Sequence, residues 1–424
     1  MRVPRKACRI VLSLLLLSCL AACGGAQADA QRTLRYWDLV DPSMAGDPRS
    51  AALRQSIAEF EKANPGVKVE VETLPWPQIS PMLLQASAAK KAPDVVRVLS
   101  WDLPKHVAAG DLVPLDQYAD AEYRKDWLLG WDTLKFDGRK MAIPFEYRSP
   151  AMYLRTDYLK GDPPRQWADL VAEAHRHRNQ TPYGLSLGFG RAAMATGLTE
   201  PLVSYLADAG LKVFNPDGTI GFDNPRGYQV FDRLADLVRT GAVPRTNLTY
   251  QYEDVYQSVK AGSSALAFLG THRANAVRAD SGLSPDRLRT LPLPNMFGKE
   301  DAAPAHVSGW TLAVPTDAHN PALSWKFIEY MTRASTQARQ VRMTGELPTR
   351  ASPYQDKWFS SAEGREKKQW ADWFQHNGVQ VDYGEHWSQF GQLCSDTITL
   401  MVLRGTSAED AVHSLAAKYN ELVR

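Results

Sequence analysis

Ile57-Ala-Glu-Phe-Glu-Lys-Ala-Asn-Pro-Gly-Val-Lys-Val-Glu-Val71 sets a helix, its stop and a strand in direct succession. Leu53, Ile57 and Phe60 recur at helical spacing across residues 50–63, and Asn64-Pro65-Gly66 ends that helix. Val67, Val69 and Val71 then alternate with Lys68, Glu70 and Glu72, the period of a strand with one wet face. Outward from there, residues 33–37 read as a short strand and 79–89 as a helix broken by Lys90-Lys91-Ala92-Pro93. Residues 95–99 form an apolar strand, and 103–109 a helix ended by Gly110. Strands alternating with helices imply parallel strands with helices on both faces, so the first lobe is α/β.

The pattern repeats further on. Residues 139–147 and 151–154 flank Pro144 and Pro150 in an extended stretch suited to a crossing between lobes. Helices are expected over 167–177, 198–209 and around Tyr228, Phe231, Leu234, Leu237 and Val238, with strands over 185–189, 265–269 and 311–314. The tail is helical, with Leu323, Phe327, Ile328 and Met331 on one face and Ala411, Val412, Leu415, Tyr419 and Leu422 on another. A chain of 424 residues without a low-complexity linker suggests two α/β lobes crossed several times.

The start of the chain reads as a secretion signal. Arg2, Arg5, Lys6 and Arg9 precede a short apolar run, and Leu20-Ala21-Ala22-Cys23 resembles a bacterial lipobox in which Cys23 is acylated. Residues 1–22 would then be removed, leaving an exported chain tethered to the membrane through lipid on Cys23. Losing those four cations and no acid moves the formal charge from +2 to −2, which argues against nucleic acid as a partner. Cys8 and Cys19 leave with the signal, so Cys394 is the remaining thiol, with no internal disulfide and the expected role of a small buried hydrophobe.

A set of loose motifs runs across nearly the whole mature sequence. Beside the opening stretch it comprises Ala92-Pro-Asp-Val-Val96, Ala109-Gly-Asp-Leu-Val-Pro-Leu115 and Asp137-Gly-Arg-Lys-Met-Ala-Ile-Pro144. Leu291-Pro-Leu-Pro294, Gly309-Trp-Thr-Leu-Ala-Val-Pro315, Glu346-Leu-Pro-Thr-Arg350 and Gly405-Thr-Ser-Ala-Glu-Asp-Ala411 complete it. In this order they resemble the extracellular solute-binding proteins of ABC importers, the cluster that holds maltose- and oligosaccharide-binding proteins. The resemblance implies a two-lobed, type II-like periplasmic-binding-protein fold whose hinge closes on a solute. It also implies no enzymatic turnover and no cofactor or metal, with an ABC permease as partner and a monomer as the working state. Residues 31–143 and 270–310 would build the first lobe, 150–265 and 320–424 the second, and crossings near 144–149, 266–270 and 311–319 the hinge.

Sugars offer apolar C–H faces to aromatic rings and hydroxyls to carboxylates, amides and arginine. Trp37 and Asp38 end the first strand, Trp76 follows the second, and Trp101 and Asp102 follow the third, where a parallel sheet opens its crevice. They are the cleft candidates, against the alternative of aromatic caps on helix termini, and Trp101→Ala is expected to remove affinity while sparing the fold. By the resemblance, Glu146 matches a cleft glutamate in the crossing segment, His272 stands where relatives carry an aromatic, and Gly309 and Trp310 enter a crossing. Arg191 would line the second-lobe wall, Arg350 would meet either solute or a loop carbonyl, and Trp387 would be a cleft aromatic. Trp358, Trp370 and Trp373 are expected to pack or cover the second lobe.

Rival classes are weaker. A lipoprotein glycoside hydrolase needs two carboxylates across a scissile bond, for which Asp38, Asp102 and Glu146 are candidates. Gly188-Phe-Gly-Arg-Ala-Ala193 has only the outline of a nucleotide loop, because the acidic partner expected further on, Asp208, falls late in a helix. His175 and His177 stand two apart on a charged helix and point away from each other. An adhesion lipoprotein would not need a ligand-dependent hinge. Within solute binding, polyamines and glycerol phosphodiesters stand as alternatives to sugars.

Overall fold

The computed structural model describes residues 33–159, 161–180, 182–191, 196–298 and 302–424. The proposed signal and Cys23 lie outside the described residues, as do Ala192 and Ala193 of the glycine-rich loop. Nine strands build the two main sheets: β1 (Thr33–Asp38), β2 (Lys68–Thr73), β3 (Val95–Leu99), β4 (Ile143–Pro144), β5 (Pro150–Arg155), β6 (Tyr183–Ser186), β7 (Ser264–Gly270), β8 (Leu288–Leu291) and β9 (Trp310–Ala313). The first sheet runs β2-β1-β3-β9-β4 and the second β8-β5-β7-β6.

In the first lobe β1 pairs in parallel with β2 and β3, as the alternating pattern implies, while β9 enters antiparallel between β3 and β4. Helix Pro48–Ala63 starts at Asp47, whose carboxylate accepts from the Ser50 amide at 2.9 Å. Its buried Phe60 meets Phe327 edge to face at 5.1 Å, and Phe327 meets Tyr36 of β1 at 5.2 Å. Tyr330 and Arg339 both donate to Glu59 on the same helix. These contacts place helices Pro321–Thr332 and Ala334–Thr344 on the first lobe, correcting the assignment of 320–344 to the second. Their apolar faces fit the aromatic surface of β1 and helix Pro48–Ala63, a match that helical spacing alone does not encode.

The second correction is the mirror image. Residues 270–291 were expected in the first lobe, yet β8 pairs antiparallel with β5 in the second sheet. Arg278, on helix Ala274–Ser281, donates to the Leu288 carbonyl and pairs with Glu366, tying this segment to helix Ala362–Asn377. Trp370 of that helix donates to Thr290 and packs inside the second lobe. The chain end follows: Phe214 stacks on Tyr419 at 5.2 Å and meets Phe390 at 5.3 Å, closing helices Trp387–Arg404 and Ala408–Val423 onto this lobe. Cys394 is buried there and free, and burial holds its thiol well above the usual range.

The crossings also differ from expectation. Residues 266–270 stay within β7 and 311–313 within β9, so neither is a hinge. The chain passes between sheets from β4 to β5, again just before β9, and a third time after helix Ala334–Thr344. These passages lie side by side: Tyr147 bridges Leu347 and Arg148 bridges Ser308, both antiparallel. Gly309 permits the contact, since a Cβ there would stand 1.9 Å from the Glu146 carbonyl oxygen.

Candidate functional site

β3 is apolar at four of its five positions, and every one of the five is buried. The exception is Arg97, 3% exposed, whose charge must therefore be met inside the protein. Three carboxylates meet it. Asp38, at the end of β1, lies 3.3 Å away, Glu146 on the first crossing 2.9 Å, and Glu346 at the third crossing 3.7 Å. Phe145 and Trp310 cover the guanidinium with ring centroids at 4.9 and 5.2 Å. Burial by itself would lower its pKa, but the carboxylates prevail and hold Arg97 more firmly protonated. Tyr36 fixes Asp38 by donating to it at 2.5 Å.

The carboxylates crowd one another as well. Burial, then the neighbouring Glu346, raises Glu146 to about 8 against the pull of Arg97 and Arg148. Glu346 lies close enough to disfavour a charge on Glu146, which favours the protonated form of Glu146. Around this cluster opens a cleft between the lobes. Leu39, Arg49 and Trp76 line it from the first lobe, Glu200, Tyr252, Glu253, His272 and Arg273 from the second, and Glu146, Arg148 and Trp310 from the crossings. It sits at the carboxyl ends of β1, β2 and β3, the expected ligand position in such sheets. A hollow of about 700 Å³ shares Glu146 and Trp310 with it but is walled largely by loop residues 132–136 and 380–383. The cleft between the lobes is the candidate site, because buried charged groups from both lobes converge on it.

On the second-lobe side, helix Thr196–Asp208 carries Glu200, which lies 3.5 Å from Arg148 and accepts from Ser308 at 3.2 Å. Arg148 spreads over the buried Trp101 ring at 4.7 Å. His272 stacks nearly parallel to Tyr252, ring centroids 6.0 Å apart. Gly270 makes room for that fold-back, since a Cβ would meet the His272 ring at 2.5 Å. Burial, then Arg148, Arg273, Arg49 and Arg97, pushes the His272 pKa well down, so the imidazole is neutral.

Of the residues singled out in the sequence, Trp76, Glu146, His272 and Trp310 line the cleft, and Gly309 and Asp38 support it from behind. Trp101 is 1% exposed and acts as a platform beneath Arg148, so Trp101→Ala would cost about 3–5 kcal/mol of stability and not spare the fold. The others lie elsewhere. Trp37 is buried on the opposite side of β1 from Asp38 and donates to Glu72 at 2.6 Å across the β1–β2 pair, the capping and packing role. Arg191 is largely exposed, 3.5 Å from Asp396. Arg350 donates to the carbonyls of Thr332, Tyr123 and Lys125, a structural bracket. Trp387 sits inside the cluster of Phe214, Tyr383 and Phe390. The carboxylates proposed for hydrolysis are engaged, Asp38 and Glu146 with Arg97 and Asp102 with Lys105 at 2.7 Å. Among the described residues no cluster of histidine, cysteine and acid side chains could hold a metal ion.

Arg97, Arg148, Glu200, Tyr252, Arg273 and Glu346 were not singled out. A lone arginine inside an apolar strand was the available signal for Arg97, since a buried cation demands partners. Glu346 stood four residues before Arg350 in a motif already noticed.

Residues 46–338 match the family model described as bacterial extracellular solute-binding protein. A "Probable ABC transporter-binding protein" of Deinococcus radiodurans is 27% identical over 229 residues, spanning 52% of this chain and about half, 54%, of that protein. An uncharacterized lipoprotein in the oleD 5′ region of Streptomyces antibioticus is 27% identical over 371 residues, covering 82% of this chain and 78% of its own length. Maltose-bound MalE3 of T. maritima superposes with a TM-score of 0.75 at 20% identity, over 92% of this chain and 99% of that one.

Proposed function

The chain belongs to the bacterial extracellular solute-binding protein family, and we propose that it captures a small solute, most simply a saccharide, between its lobes for an ABC importer. The observation that carries this reading is the cleft itself, whose wall comes from both lobes and from the crossings between them. A solute held there bridges the lobes and stabilises the closed form over the open one. Trp76 and Trp310 offer apolar faces for sugar C–H groups, while Glu200, Glu253, Tyr252 and the arginines offer partners for hydroxyls. Glu146, shared by cleft and crossing, couples occupancy to the hinge. Membership implies binding without turnover. Export, with lipid on Cys23 as tether and a permease as the membrane partner of a monomer, completes the proposal.

Thermal unfolding of residues 24–424 against mono- and oligosaccharides, polyamines and phosphodiesters tests it. A bound solute at a hundred times its dissociation constant adds about 2.7 kcal/mol. A shift confined to one saccharide class, with the solute recovered unchanged, is the expected outcome. No shift from any saccharide overturns the sugar assignment.

A further inference from the structure

We propose that the cleft selects a solute bearing an anionic group, a carboxylate or a phosphate, which binds the guanidinium edge of Arg148 between His272 and Arg49; this rests on the solute-capture reading above. Four arginines reach the cleft, and two are already matched. Arg97 has its three carboxylates, and Arg273 is hydrogen-bonded to Glu253. Arg148 is different. It is 8% exposed, and its Nε lacks a hydrogen-bond partner as do those of Arg97 and Arg273; but where they also hold a carboxylate through a terminal nitrogen, its ion pair with Glu200 runs through Nε at 3.5 Å.

Trp101 holds the guanidinium by its face, which leaves the planar edge free for a bidentate acceptor. Glu200 reaches the guanidinium only at Nε, 3.5 Å away and without a hydrogen bond. An anion docking on the free edge adds the charge-assisted pair that Glu200 does not make. Next to it, the Nδ1 of His272 is buried without a partner. The charges of Arg148, Arg273, Arg49 and Arg97 all disfavour a further positive charge there, so the His272 corner is the positive end of a cleft whose lining as a whole is balanced by Glu146, Glu200, Glu253 and Glu346. Arg49 stands exposed at the rim, at the start of helix Pro48–Ala63, where it also favours an incoming anion. A neutral sugar can accept hydrogen bonds from these groups but cannot offset their charge.

The test titrates matched solutes into residues 24–424 by calorimetry: glucose, glucuronate and glucose 1-phosphate, then galactose and galacturonate, then glycerol and sn-glycerol 3-phosphate. The expected result is that at least one acid binds about tenfold or more tightly than its neutral counterpart. Carboxylates and phosphates form separate arms, so the arm that responds names the source of the charge. Arg148→Gln should abolish the preference. Arg49→Gln, at an exposed position that leaves folding intact, should weaken the acid severalfold and by more than its neutral counterpart. A neutral member binding as tightly as its acid, with Arg148→Gln affecting both alike, overturns the inference while leaving solute capture standing. No response from any member at millimolar concentration overturns the inference, and the saccharide assignment falls with it only where the oligosaccharide panel above is silent as well.

Discussion

Arg97 and Arg350 are the two buried arginines that most resemble each other, 3% and 5% exposed. Each lies over two aromatic rings, Arg97 over Phe145 and Trp310, Arg350 over Tyr123 and Trp127 at 4.3 and 3.9 Å. Their acceptors differ. Arg350 donates to three backbone carbonyls, which cannot titrate, and so locks the third crossing to residues 123–125. Arg97 is met by side-chain carboxylates from three separate segments at the edge of an open cleft. The stacked aromatic pair is therefore no mark of a binding site by itself. What distinguishes the site is that its counter-groups are charged side chains bordering space for a solute.

Breaking the carboxylate cluster should have the largest effect. Arg97→Leu leaves Asp38, Glu146 and Glu346 without their cation, and urea unfolding should show a loss of about 3–5 kcal/mol together with loss of solute binding. Arg350→Leu orphans three carbonyls at a cost of about 2–3 kcal/mol, but solute affinity measured on the folded protein should be unchanged. Equal losses of affinity in the two variants would erase the contrast between them.

The proton on Glu146 gives a finer test. Glu146 titrates near 4.5 in an unfolded chain and at about 8 in the fold, so across that window the folded protein holds a proton the unfolded chain has released. Stability from this group falls as pH rises, by at most about 1.4 kcal/mol per unit, and levels off above the folded pKa. Glu146→Gln should remove that slope from urea midpoints measured between acid and alkaline pH, whereas Arg350→Leu should leave it in place. The smallest effect belongs to Arg191→Ala, an exposed residue with a loose partner, where stability should move by no more than about 0.5 kcal/mol and affinity not at all. A loss of affinity there would return Arg191 to the cleft wall.

Much of this was legible before any coordinates. The helix, stop and strand over residues 50–72 appear where the spacing places them, and Glu146, Trp76 and Trp310 do reach the cleft. The errors share one cause. Trp37, Arg350 and Trp387 are the right residue types for a sugar site, but a tryptophan beside a strand end serves equally as core, as Trp37 does across from Glu72. Lobe membership of 270–291 and 320–344 failed likewise, because a helix with one apolar stripe does not state which sheet it will cover.

The α/β alternation, the two-lobed family and the helical chain end could be read from residue order alone. Those depend on periodicity and on breakers such as Asn64-Pro65-Gly66, which act between neighbours in the chain. Which arginine serves the cleft and which serves the frame is settled by packing. That role depends on groups at positions 38, 146 and 346, which no local rule connects and which meet Arg97 only when three crossings pack side by side. Burial then sets their charge, and burial is a property of the packed whole.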